Sequence, residues 1–282
     1  MVTRPYPGGL AAMTARIAFG GMSDPTAVRP PRSVAGLVAV VTGAGSGMGR
    51  ATARLLADEG ALVACWDVAA EAVHETAVAI AQGGGRAAAV VVDVSDDAAV
   101  GRALDATHDA LGSVDLLVND AGISLLSPLD DDGWRATWDR TLAVNLTGAA
   151  LVLRACAGDL RRSGAGRVVN VASTEGLGAT KHLSAYTAAK HGLVGLTRSA
   201  ALELAEHDVT VNCVCPGPIR TAMNAGIPDE MKDRFARRRV PKARYGEPEE
   251  VADVILSLLL PSATYVTGAV IAVDGGLTVQ NS

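Results

Sequence analysis

Seven short apolar runs, separated by longer amphipathic stretches, constrain this chain more than any other feature of its sequence. The runs are LVAVVTG (37–43), ALVACWD (61–67), AAAVVVD (87–93), VDLLVND (114–120), GRVVNVAS (166–173), VTVNCVCPG (209–217) and AVIAVDGG (269–276). A strand with one wet face alternates apolar and polar residues. These runs do not, so both of their faces are expected to be covered. The segments between them, such as GRATARLLADEG and AAKHGLVGLTRSAALELAEH, carry helical spacing. Doubly covered strands joined by helices predict an α/β fold: a doubly wound parallel sheet of about seven strands, with helices on both faces, in one domain over 34–282. With 282 residues, 49% of them hydrophobic, the chain has enough apolar surface for one such core.

Residues 1–33 hold Gly, Pro and Arg in no periodic pattern and are expected to form a flexible N-terminal arm, or one that packs on a neighbouring subunit. Met13 and Met22 are alternative starts within it. Its apolar stretch GLAAMTARIAFGG is broken by Arg16 and is too short to cross a bilayer, so no membrane association is expected. A net charge of −5 gives no basic footprint for nucleic acid. Cys65, Cys156, Cys213 and Cys215 make no disulfide framework in a chain this long, and Cys213-x-Cys215 lacks partners at zinc spacing. Buried free thiols, no metal site and a cytoplasmic location are the expectation.

In a doubly wound sheet, ligands bind beyond the carboxyl ends of the strands, so the residues after each run carry the chemistry. The first run ends in TGAGSGMGR, which fits TGxxxGxG through Thr42, Gly43, Gly47 and Gly49. With Gly45, Ser46 and Met48, this turn brings backbone N–H groups and a helix N-terminus to a pyrophosphate. The second run ends at Asp67, followed by Val68, where a carboxylate can accept hydrogen bonds from ribose hydroxyls. A 2′-phosphate would meet like charge there, and neither Ser46 nor any neighbour of Asp67 is basic, which favours NAD over NADP. Asp93, with Val94 after it, either contacts the adenine edge or caps the helix that follows Ser95.

Tyr186 and Lys190 stand at i and i+4 in SAYTAAKHG, so on a helix they share a face and approach one site. A free phenol titrates near 10, and proton exchange near neutrality needs about 4 kcal/mol of phenolate stabilisation. A cation about 4 Å away supplies on the order of that amount at an effective dielectric of about 20. Ser173 can donate to a substrate oxygen.

Taken in order, the glycine turn, NDAG (119–122), Ser173, YTAAK (186–190) and PGPIRT (216–221) resemble those of a short-chain dehydrogenase/reductase, from about Leu37 to VDGG at 273–276. The resemblance implies a Rossmann-like single domain, a nicotinamide cofactor and a homotetramer. It also implies a catalytic tetrad of Asn145, Ser173, Tyr186 and Lys190, with Asn145 holding a proton-relaying water and Lys190 reaching the nicotinamide ribose. Asn119, Ala121 and Gly122 would line the cofactor crevice, and Pro216, Gly217, Ile219 and Thr221 would face the nicotinamide end. One residue departs from the family's usual NNAG: Asp120 accepts hydrogen bonds but cannot donate as an amide does.

Glu175, Leu177, His182 and Met223 are candidates for the substrate pocket. The basic segment 231–244 is either an acidic-substrate or acyl-carrier site, or a solvated helix face paired with the acidic residues at 229–230 and 247–250. The expected activity is NAD-dependent interconversion of a secondary alcohol and its ketone. The alternatives are a 3-oxoacyl-thioester reductase and a non-catalytic dinucleotide sensor. A sensor would have no use for Tyr186 and Lys190 together.

Overall fold

A computed structural model describes residues 32–280. The expectation for the N-terminal arm therefore lies, except for its last two residues, outside the described residues. All seven apolar runs are strands: β1 (Val38–Thr42), β2 (Leu62–Asp67), β3 (Arg86–Val91), β4 (Leu116–Asn119), β5 (Arg167–Val171), β6 (Thr210–Pro216) and β7 (Val270–Val273). They form one parallel sheet in the order β3-β2-β1-β4-β5-β6-β7. The helices are α1 (Gly47–Asp58), α2 (Ala70–Gln82), α3 (Asp97–Leu111), α4 (Trp134–Leu142), α5 (Ala149–Ser163), α6 (Ser184–Leu204), α7 (Asp229–Arg239) and α8 (Pro248–Leu259).

Both faces of the sheet are covered, which accounts for strands without polar alternation. On one side Leu56 of α1 and Ile255 and Leu259 of α8 pack on Val41, Val118 and Val169. On the other, Val100 of α3, Val152 and Leu160 of α5 and Leu204 of α6 pack on Val40, Leu117 and Val168. All four cysteines are free and buried, as expected. Helices α4 and α5 belong to a continuous 30-residue run, long and apolar enough to cross a membrane by composition. Its apolar residues instead serve the core, where Val144, Val152, Leu153 and Cys156 are buried.

Register decides where the loops converge. Thr42 lies beside Trp66 and Asn119, Asn119 beside Asn170, and Asn170 beside Cys213, so the central strands end in one row. The chain builds outward from β1 to β3 and then returns to place β4 on β1's other side. Two adjacent loops therefore leave in opposite directions above β1 and β4, opening a crevice.

The helix after Ser95 is capped by Asp96, whose carboxylate accepts from the N–H groups of Ala98 and Ala99 at 2.9 and 3.1 Å. The capping alternative for Asp93 is thus corrected. Its Oδ1 instead accepts from the N–H and hydroxyl of Ser95 at 2.9 and 2.6 Å. The other carboxylate oxygen, Oδ2, pairs with Arg140 at 3.2 Å.

Candidate active site

The glycine turn is built by close approach. Gly43 has φ +71° and lies against Ala121, and a Cβ on Gly49 would collide with the Gly43 carbonyl oxygen. Thr42 Oγ1 accepts from the N–H groups of Asp120 and Ala121, both at 3.0 Å, and so stitches the ends of β1 and β4 together. Ser46, the N-cap of α1, makes no side-chain capping bond, and the first turn holds no acidic residue. Unsatisfied N–H groups at a helix start, approached through glycines, fit a pyrophosphate.

Asp67 is fixed beside this turn. Its Oδ2 accepts from Gly45 N–H at 2.8 Å and its Oδ1 from Ala69 N–H at 2.9 Å. A crevice of about 230 Å³ follows, lined by Gly43, Ser46, Gly47, Met48, Asp67 and Val68, by Asp93 and Val94, by Asp120, Ala121 and Gly122, and by Thr221. Most of the expected cofactor set thus meets in one place.

Arg140 of α4 also lines this crevice, and sequence reasoning missed it. It reaches Asp93 Oδ2 at 3.2 Å and Ser95 Oγ at 3.0 Å. Ser95, and then Arg140, hold Asp93 below the usual carboxylate range. No local motif marks Arg140, because its partners lie 45 and 47 residues earlier.

Of the expected set, Asn119, Pro216, Gly217, Ile219, Tyr186 and Lys190 do not line the crevice, nor do Thr42, Gly45 and Gly49 of the turn itself. Asn119 is buried and donates to Asn170 Oδ1 at 2.9 Å and Ala149 O at 3.3 Å, and Asn170 in turn donates to Thr197 Oγ1 at 2.9 Å. This polar chain ties β4, β5 and α6 together instead of facing the crevice. Gly217 packs against Asp274, and Ile219 is buried in a bridge to Gly246. Pro216 closes β6 just before them, and the segment reaches the crevice through Thr221, which sits over Gly47.

The four reactive side chains come from three places. Ser173 follows β5, and its Oγ accepts from Glu175 N–H at 3.2 Å. Tyr186 and Lys190 occupy the first turns of α6. The Lys190 ammonium is buried, donates to Val171 O at 2.8 Å, and lies 5.5 Å from the Tyr186 ring centre. Asn145 sits in a π-helical turn, Ala143–Gly148, between α4 and α5. Its amide is anchored on Ile123, accepting from N–H at 2.8 Å and donating to C=O at 2.7 Å. Gly122 separates Asn145 from Lys190, since a Cβ there would stand 3.3 Å from Asn145 Oδ1 and 3.6 Å from Lys190 Nζ. Asn145 and Lys190 therefore flank the loop that borders the crevice.

The substrate candidates divide. Glu175 is a clasp: its carboxylate accepts from Thr180 N–H and Oγ1 and from Thr187 Oγ1 at 2.9, 2.6 and 2.7 Å. Leu177 is exposed, and Met223 lines the cofactor crevice. His182, at φ +67°, lines a separate cavity of about 680 Å³ with Leu129 and His191. A larger cavity of about 850 Å³, between α1, residues 220–229 and α8, contains none of Ser173, Tyr186 and Lys190. In the basic segment, Lys232 pairs with Asp229 at 3.3 Å and Arg244 with Glu250 at 2.6 Å, as the solvated-face alternative expects.

Fold and crevice together are those of a Rossmann-like α/β protein with a cleft at its topological switch point. Comparison with known proteins identifies which kind. A family profile described as enoyl-(acyl carrier protein) reductase matches residues 43–278. The chain is 42% identical over 245 residues to cis-4-hydroxycyclohexanecarboxylate dehydrogenase of Sinomonas cyclohexanicum, covering 86% of this chain and 96% of the relative. It is 37% identical over 248 residues to a 3-oxoacyl-(acyl-carrier-protein) reductase of Thermotoga maritima, covering 86% and 98%. The crystal structure of levodione reductase superimposes with a TM-score of 0.82 at 35% identity, covering 88% of this chain and 99% of that one. The chain belongs to the short-chain dehydrogenase/reductase family, whose members bind a nicotinamide dinucleotide.

Proposed function

We propose that the protein interconverts a secondary alcohol and its ketone with NAD as cofactor, with Tyr186 exchanging the proton. The observation that carries this reading is the buried Lys190 ammonium, anchored on Val171 O and 5.5 Å from the Tyr186 ring. The nicotinamide, when bound, supplies the hydride acceptor or donor. The protein supplies placement and proton transfer. Tyr186 takes the alcohol proton in oxidation and returns it to the nascent alkoxide in reduction. The Ser173 hydroxyl donates to the same substrate oxygen and orients it. Asn145, its amide anchored on Ile123 by one N–H and one oxygen lone pair, keeps a second N–H with which to hold the relaying water that the family likeness implies. The buried cysteines and the family likeness support a cytoplasmic homotetramer.

Asp67, fixed by Gly45 and Ala69, supports NAD over NADP. A 2′-phosphate beside this carboxylate loses on the order of 2 kcal/mol, or about thirtyfold, after screening. Initial rates over a panel of cyclic and linear secondary alcohols and ketones are expected to favour NADH over NADPH by at least about tenfold. A preference for NADPH would reject the cofactor assignment. The second reading, a 3-oxoacyl-thioester reductase, is supported by Arg234, Arg237, Arg238 and Arg239 on α7, which make no salt bridge among the described residues. Turnover of an acetoacetyl thioester well above that of free ketones would favour it. Dinucleotide binding with no turnover across the panel would instead support the sensor reading.

A further inference from the structure

Asp120 is the residue whose chemistry the proposed reaction does not use. It follows β4 at the point where the sheet order reverses, and it lines the cofactor crevice. Its backbone N–H is bonded to Thr42 Oγ1, which fixes the side chain under the start of α1. One carboxylate oxygen, Oδ2, abuts Gly49, at 2.9 Å from where a Cβ on that glycine would lie. The other, Oδ1, is buried with no hydrogen-bond partner. A carboxylate thus stands, half unsatisfied, against the turn shaped to receive a pyrophosphate.

We propose that the dinucleotide binds to the form of the protein in which Asp120 is protonated, so that binding takes up one proton from solvent at this side chain. The inference rests on the dinucleotide reading above and assigns the proton linkage of that same site. Two charged groups face Asp120: Lys190 from α6, whose ammonium favours the ionised form, and Asp67 from the end of β2, which opposes it. The α1 backbone at Gly49 also favours ionisation, but burial outweighs all of these and pushes the carboxyl up to about 7. The remaining charged side chains of the crevice are Arg140 and Asp93, which are paired with each other. A pyrophosphate held in the glycine turn adds negative charge beside Asp120, and like charge raises a carboxyl further. Protonation removes that repulsion and gives the unpartnered oxygen a donor role. None of the five histidines lines the crevice to take up the proton in its place.

The test is calorimetric titration of the intact protein with NADH at about pH 6 and about pH 8, each in two buffers of different ionisation enthalpy. NADH is the probe because the positive ring of NAD⁺ would promote proton release from Tyr186, which has the opposite sign. The wild type is expected to take up close to one proton at about pH 8 and almost none at about pH 6. Its Kd rises with pH, with a slope approaching about tenfold per unit. Asp120→Asn, which cannot ionise, is expected to bind with no uptake and a flat Kd, and Asp120→Ser serves as a second variant. Binding without uptake in the wild type, or equal uptake in both variants, overturns the assignment to Asp120 alone. If neither NADH nor NADPH binds at any pH, the dinucleotide reading falls along with it.

Discussion

Tyr186→Phe is expected to lower turnover by about a thousandfold while leaving NADH affinity within about twofold. General acid–base catalysis by a placed side chain contributes about a hundredfold to ten-thousandfold, and the phenolic oxygen is the one atom this substitution removes. The ring remains beside Lys190, 5.5 Å from its ammonium, so the loss falls on proton exchange and not on packing. Fluorescence titration with NADH and initial rates on one preparation separate the two quantities. Turnover within a factor of a few of the wild type would remove Tyr186 from the chemistry.

Lys190→Met is expected to cost about a hundredfold in turnover, to weaken NADH binding and to lower thermal stability. Three effects combine. A unit charge within several Å is worth on the order of 3 kcal/mol at an effective dielectric of about 20, and that stabilisation of a developing phenolate is lost. The ribose contact implied by family likeness goes with it. Val171 O, which accepts from Lys190 Nζ at 2.8 Å, is left without this donor, and an unpaired buried carbonyl costs about 1–3 kcal/mol. Lys190→Arg keeps the charge but not the compact ammonium, and is expected to recover stability more than turnover. If Lys190→Met kept wild-type turnover with only its melting temperature reduced, Lys190 would be a structural residue.

The strands were legible because burial on both faces writes itself into composition: β1 and β5 are buried at every position and contain no polar alternation. Motif order singled out the glycine turn, Ser173, Tyr186 and Lys190, which the fold sets at the ends of β1 and β5 and in the first turns of α6. What a linear reading lacks is side-chain direction. Asn119 and Asp120 are neighbours, yet one points into a polar chain with Asn170 and the other into the crevice. Glu175, two residues after Ser173, looks free to meet a substrate until α6 brings Thr187 to its carboxylate. Asp93 and Asp96 are both plausible helix caps, and local backbone geometry decides for Asp96. The π turn at Asn145 is hidden in the same way, since nothing in AVNLTG distinguishes it from ordinary helix.

The most direct test of the proposed chemistry is a crystal structure of the complex with NADH. It is expected to show the Tyr186 and Ser173 hydroxyls on one side of the nicotinamide, facing its hydride-bearing carbon, with Lys190 Nζ bonded to the adjoining ribose. A nicotinamide seated away from these hydroxyls, with Lys190 bonded to Val171 O alone, would contradict it.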